Sequence, residues 1–240
     1  MHRVFRSLLL ALVILGLGQG SGFCQEKSVR PGINDPFKNP DIKHFTDLFE
    51  TESREIFAKR KEIVAACKIK PSMVVADVGA GTGLLTLLFS AEVGDKGKVY
   101  AVEIAPRFIE HIEKTCKERG INNVAGVLGK PDSVELPPDS IDLAFICDTY
   151  HHFEYPFKTM TSIRRALRPK GRVVLVDFKR IQGVSSEWVM NHVRAGQETF
   201  TREIESTGFN VVEEPKLLKE NYCLVFERVT AAKDHDKKGR

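Results

Sequence analysis

From residue 73 onward the chain alternates unbroken apolar runs with stretches whose apolar positions recur at helical spacing. The runs 73–78, 99–102, 124–128, 141–147 and 172–178 read as strands, and 84–93, 106–119 and 157–167 as the helices between them. Strands that are apolar at successive positions, rather than at every second one, are covered on both faces. Such alternation builds right-handed crossover units, so the predicted fold class is α/β: a doubly wound, mostly parallel sheet with helices on both faces. A polar connection over 179–187 and a helix near 199–207 follow, then two more strand candidates at 209–212 and 222–227. Gly208 stands where a helix C-cap belongs and Pro215 separates the last two strands, which predicts a C-terminal antiparallel hairpin on the sheet edge.

Ahead of this core, Phe45, Leu48, Phe49, Ile56, Phe57, Ile63 and Val64 recur at helical spacing within residues 42–68, giving one or two amphipathic helices that Pro71 stops. Residues 25–41, rich in Pro, Gly, Asn and charge, read as an extended lead-in. Residues 1–24 place a basic head (His2, Arg3, Arg6) before an apolar run over 8–17 and a small-residue segment over 18–22, the order of a secretory signal peptide. The run falls short of the roughly 20 residues of a membrane span, so the expectation is export, periplasmic or secreted, with cleavage between Gly20 and Cys24. Membrane contact is then transient; the alternative is an uncleaved leader retained as an anchor. A polar tail over 229–240 is expected to be disordered, which leaves one domain over 42–228 with its core at 63–178.

Composition sharpens this picture only in part. At 240 residues, 42% hydrophobic and 28% charged, the chain can bury one substantial core. The formal net charge is +4, and leaving out Arg3 and Arg6 of the leader leaves 34 basic against 32 acidic side chains, or +2, which argues against bulk capture of nucleic acid. Cys67, Cys116, Cys147 and Cys223 show no metal spacing and sit in apolar or helical contexts; they read as small core residues, and no metal site is expected.

Chemistry concentrates where strands end. The first core strand runs into Asp77, Val78, Gly79, Ala80, Gly81, Thr82 and Gly83 and then into a helix. Glycines let the backbone turn tightly and approach a ligand closely, and the helix that follows offers unpaired amides. The spacing is G-x-G-x-G rather than the dinucleotide G-x-G-x-x-G, and a carboxylate at Asp77 would repel a pyrophosphate while suiting an ammonium or a water-bridged ribose. Both features weigh against a nicotinamide-dependent oxidoreductase. The second strand ends at Glu103, twenty residues past Gly83, where an acidic side chain can accept both ribose hydroxyls.

Over residues 63–178 these features resemble the class I S-adenosylmethionine-dependent methyltransferases. The resemblance implies a Rossmann-like sheet of seven strands and S-adenosyl-L-methionine as cofactor. It implies that Asp77, Gly79, Ala80, Gly81 and Gly83 surround the amino acid part of that cofactor, Glu103 its ribose and Ile104 its adenine. An acidic residue near the adenine amino group is implied after the third strand; Asp132 is the best match and Ser133 its neighbour, although the usual Gly-Asp pair is missing. The loop after the fourth strand puts Asp148, Tyr150, His151 and His152 at the mouth of the site, and the turn from Arg168 to Gly171 fits the fifth strand's approach.

The expected reaction is methyl transfer to a small-molecule acceptor. His151 and His152 are the candidate general bases and Tyr150 a wall or hydrogen-bond donor, with a packed or capping role as the alternative for each histidine. Asp177 and Lys179 could face the same cleft, Arg54 or Arg60 could reach the cofactor's carboxylate from a lid, and His192, Arg194 and Gln197 form a polar cluster suited to acceptor contact. The competing reading is an exported, non-catalytic ligand-binding module that keeps the fold.

Overall fold

The computed structural model describes residues 25–229; the predicted leader and the tail beyond Val229 lie outside the described residues. A 3-10 turn at Asp35–Phe37 leads into α1 (Ile42–Phe49), α2 (Glu55–Ala58) and α3 (Arg60–Ala66). There follow β1 (Val74–Val78), α4 (Leu84–Val93), β2 (Lys98–Glu103), α5 (Pro106–Glu118), β3 (Val124–Leu128) and β4 (Ile141–Cys147). After a 3-10 turn at Tyr150–His152 come α6 (Pro156–Ala166), β5 (Leu167–Phe178), α7 (Glu187–His192), α8 (Gln197–Ser206), β6 (Phe209–Glu213) and β7 (Asn221–Arg228). No helix among the described residues is long and apolar enough to cross a membrane.

The seven strands form one sheet in the order β3-β2-β1-β4-β5-β7-β6. β1 to β5 are parallel, and β7 runs antiparallel to both β5 and β6. The continuous apolar runs have a simple cause: successive side chains enter opposite cores. Leu143, Phe145, Val174 and Val225 pack with Ile63 of α3 and Phe89 of α4, while Ala144, Ile146, Leu175 and Phe226 pack with Ile163 of α6 and Ile204 of α8. Each of the larger side chains among these, fully buried, contributes roughly 1.5–3 kcal/mol.

Three differences from the sequence reading have local causes. Residues 42–68 form three helices, because Asp41 caps α1 through its side chain (3.2 Å to the His44 amide) and the chain turns again between α1 and α2. β5 starts at Leu167: pairing jumps from Ile141 with Leu167 to Leu143 with Arg172, so the turn at Arg168 to Gly171 is a bulge within the strand. The polar connection ends in α7, six residues capped by the Ser186 hydroxyl with only Val189 buried, too weak a stripe to register as periodic. Cys67, Cys116, Cys147 and Cys223 are free, and three of them are buried.

Candidate functional site

Strand order reverses between β1 and β4, and ligands in open α/β sheets bind beyond the carboxyl ends of strands at such a point. There the structure has a cavity of about 590 Å³, within the usual range for small-molecule sites. The glycine turn after β1 and the end of β2 form one wall, α1 with Phe45 and Phe49 forms the roof, and Phe178, Trp188 and His192 close the far end.

The glycine turn cannot carry side chains. Gly79 lies at φ +75° and a Cβ there would fall 2.3 Å from Thr149 Cγ2; at Gly83, φ +86°, it would fall 2.8 Å from Ile112 Cγ1. Gly81 donates its amide to Glu103 Oε1 at 2.7 Å, so the first and second strand ends make a single rigid wall. Glu103 is 8% exposed and lines the cavity, and burial raises its pKa despite amide donors from Gly81, Ile104 and Ala105. Asp77, 3% exposed, accepts from the Thr86 hydroxyl at 2.6 Å and from the Thr86 amide, bracing the first turn of α4. Burial, only partly offset by Thr86 and reinforced by nearby Glu103, pushes the Asp77 carboxyl up to about 7. Ala80 and Ile104 line the cavity, Ile104 being 39% exposed as an apolar face should be if it awaits a flat ligand.

Past β3 the structure separates two expected neighbours. Ser133, with Lys130 and Pro131, lines the cavity; Asp132 is outside its lining and faces Lys158 at 3.6 Å. The missing Gly-Asp pair is felt here: the Lys130–Ser133 bridge closes a tight turn that turns the Asp132 side chain outward.

Asp148 follows β4 in a left-handed conformation, φ +47°, with a side chain only 7% exposed. It is held by Arg54 at 2.6 Å and by the Asn221 amide nitrogen at 2.6 Å. Burial nevertheless outweighs Arg54 and raises the Asp148 pKa, with the negative charge of Asp177 acting in the same direction. Arg54 lies over the Phe49 ring, so the segment from α1 to α2 does cover the cavity. Arg60 turns away to the Phe57 carbonyl and stays outside the lining. Next to Arg54, the Glu55 carboxylate accepts the successive amides of Lys219, Glu220 and Asn221 at 2.6, 2.9 and 3.2 Å, fastening this cover to the start of β7.

The 3-10 turn after β4 splits its three expected catalytic residues. Tyr150 points into the core, fully buried, bonded to Glu203 Oε2 at 3.1 Å and packed on Phe200, so it leaves the site. His151 and His152 line the cavity. His151, 1% exposed, has Nδ1 2.8 Å from Asp177 Oδ1 and gives its amide to Oδ2. His152 Nε2 lies 3.2 Å from His192 Nε2. Burial, then the neighbouring His151 and His192 and Arg30, lowers His152 to about 2, and burial likewise lowers His192. Both shifts favour the neutral imidazole.

Of the remaining expected contacts, Asp177 acts through His151, and Lys179 donates to the Leu218 and Lys219 carbonyls away from the cavity. In the 191–197 cluster only His192 reaches the site; Arg194 pairs with Glu203 and Gln197 with Glu214. Sequence reasoning missed Thr149, which fills the space above Gly79, and Trp188, which stacks on His192 at 4.5 Å between ring centres. The signal for Trp188 was available: it is the chain's one tryptophan, set in an otherwise polar connection.

A family model described as a methyltransferase domain matches residues 69–230. The ubiquinone/menaquinone biosynthesis C-methyltransferase UbiE of Shewanella baltica strain OS155 is 30% identical over 114 residues, 47% of this chain and 45% of its own. The uncharacterized methyltransferase YcgJ of Bacillus subtilis is 26% identical over 142 residues, 58% of this chain and 55% of its own. The chain thus spans about half the length of the curated relatives it matches. The crystal structure of a SAM dependent methyltransferase from Aquifex aeolicus superposes with a TM-score of 0.71 at 22% identity, covering 80% of this chain and 100% of that one.

Proposed function

Because the chain belongs to the methyltransferase-domain family and has the class I methyltransferase fold, we propose that it transfers the methyl group of S-adenosylmethionine to a small-molecule acceptor. The observation that carries this reading is the wall formed by the glycine turn and Glu103 at the strand-order reversal, joined through the Gly81 amide. That wall fits the cofactor. Gly79 and Gly83 let the turn pack directly on Thr149 and Ile112, a Cβ on Gly81 would meet Phe49 of the roof, and Glu103 presents a desolvated carboxylate to the cavity. Ile104 offers an apolar surface beside it.

In this reading Glu103 takes the ribose hydroxyls, Ile104 lies against the adenine, and the glycine turn receives the amino acid end. Arg54, at the cavity rim over Phe49 and paired with Asp148, offers a cation to a carboxylate at that end. S-adenosylmethionine supplies a methyl group already activated on a sulfonium, so the protein must chiefly align the acceptor and keep water out. The roof of Phe45 and Phe49 and the ring wall of Phe178 and Trp188 serve that exclusion. The end lined by His151, His152 and His192 is the acceptor end. The volume of the cavity, about 590 Å³, and its ring-lined walls favour a small molecule over a polymer.

The test is calorimetric titration of S-adenosylmethionine and its demethylated product into the full chain and into Glu103→Ala. Saturable binding weakened roughly 100-fold or more in the variant is expected, since each lost charge-assisted hydrogen bond is worth about 1.5–3 kcal/mol. A folded protein that does not bind, or a variant of unchanged affinity, overturns the reading. We also propose that residues 1–24 direct export, which amino-terminal sequencing of protein recovered outside the cytoplasm would test.

A further inference from the structure

At the acceptor end, one ring nitrogen from each of His151, His152 and His192 lies within 4.8 Å of the other two. The residues come from two elements, the turn after β4 and α7, with His152 and His192 forty positions apart, which is why no spacing in the sequence announced them. We propose that these three histidines form a binding site for a divalent transition cation of the zinc class, with its open position directed into the cavity.

Four observations converge on this. First, His152 Nε2 and His192 Nε2 face each other at 3.2 Å. Two imidazoles on one tetrahedral cation, at metal–nitrogen distances of ~2.05 Å, stand ~3.3 Å apart, so the pair is already at coordination spacing. Second, His151 Nδ1 is bonded at 2.8 Å to Asp177 Oδ1, and Asp177 is fully buried and held in turn by the amides of His151 and Phe178. A carboxylate behind an imidazole fixes the tautomer and leaves Nε2 as the lone-pair nitrogen, the arrangement that orients metal-bound histidines.

Third, the other sides of the cluster are packed by rings. Phe37 meets His152 edge-on, Trp188 stacks on His192 and Phe178 lies against His151. All three histidines line the cavity, so the unfilled side of the cluster is the acceptor's. Three imidazoles with one open position form the donor set of a reactive rather than a structural zinc site. Fourth, the local charge permits a cation. Asp177 supplies negative charge directly behind His151; Arg54 is matched by Asp148, and Arg30 is engaged by the main-chain carbonyls of His192 and Asn191.

The site deepens the methyl-transfer reading by naming an acceptor class, and on that point it rests on that reading. A cation there suits an acceptor with a thiol or hydroxyl group. Coordination of the heteroatom lowers its pKa, its proton passes to solvent, and the freed lone pair forms the bond to the methyl carbon as the sulfonium carbon–sulfur bond breaks. His151, as a ligand, then acts as neither acid nor base.

The experiment uses the full chain, stripped with a chelator and titrated with cobalt(II) alone, followed by visible absorption, with zinc(II) as competitor. The expected result is one saturable site with ligand-field bands of four- or five-coordinate cobalt, displaced by zinc. His152→Ala and His192→Ala should each weaken it at least 100-fold, and Asp177→Asn roughly 10–100-fold, as is usual for a residue behind a ligand. Far-UV circular dichroism of each variant establishes folding, and His192→Gln on the partly exposed α7 is the second variant if either alanine form does not fold. No saturable binding by the folded wild type, or binding that survives both His152→Ala and His192→Ala, overturns the site. Cobalt binding at the triad in a protein that does not bind S-adenosylmethionine would leave the metal site standing and remove only the methyl-transfer reading.

Discussion

Asp77→Asn separates the cost of a buried charge from the bond that the charge makes. Asp77 is 3% exposed, and burial moves its carboxyl from an ordinary 3.8 to about 7. Because the folded pKa lies above the unfolded one, the native state holds the proton more tightly. The associated stability is complete below pH 3.8 and is lost as pH rises through about 7. Over that whole interval, at ~1.36 kcal/mol per pH unit, the loss is about 4 kcal/mol, of which about 3 kcal/mol falls between pH 5 and pH 7. An asparagine keeps an acceptor for the Thr86 hydroxyl but has no charge to bury. The variant without cofactor should therefore gain on the wild type by about 3 kcal/mol from pH 5 to pH 7, then run parallel to it. Urea unfolding of both proteins at half-unit pH steps measures this difference. Glu103, also raised by burial, titrates in both proteins and cancels to first order. A difference that stays flat from pH 5 to pH 8 would refute the placement of an ionisable, desolvated Asp77 beneath the glycine turn.

Arg54→Ala leaves Asp148 buried without its cation and should cost about 2–3 kcal/mol, less than a fully buried pair because Arg54 is 26% exposed at its side chain. Adding Asp148→Asn should restore most of that loss, since an asparagine needs no counter-charge and can still accept from Asn221; denaturation of the four proteins of the cycle reads the coupling. Tyr150→Phe should lower stability by about 1–2 kcal/mol through the bond to Glu203 while leaving the affinity for S-adenosylmethionine within twofold, and a larger change in affinity would return Tyr150 to the site.

The sheet was legible because its central strands are covered on both faces, so that β4 has the same limits in the sequence pattern and in the structure; β3, at the sheet edge and only partly buried, keeps its limits through an apolar run alone. The wall formed by the glycine turn and Glu103 was legible because a backbone requirement writes itself into residue type. Only glycine suits the left-handed turn at Gly79 and Gly83, and only the register of β1 with β2 brings Glu103 to Gly81. The acceptor end was not legible. One turn of 3-10 helix sends Tyr150 into the core and the next two side chains to the cavity, and no periodicity distinguishes the three. His192 joins them only because a six-residue helix folds back over the strand ends, a contact that depends on tertiary packing around Val189. Asp132 failed to reach the cavity for the same kind of reason, since a tight turn rather than its sequence neighbours sets its direction.

Among the described residues β7 is the last strand in chain order, yet it lies inside the sheet, between β5 and β6. The residues at its start hold Glu55 through three amides and Asp148 through Asn221, and Asp148 holds Arg54. During synthesis, then, the glycine turn and Glu103 are made long before the residues that fasten the cover above them. A chain still growing, or one truncated before residue 219, lacks this clasp for the roof. Retention of a ligand beneath that roof then depends on insertion of β7 between β5 and β6.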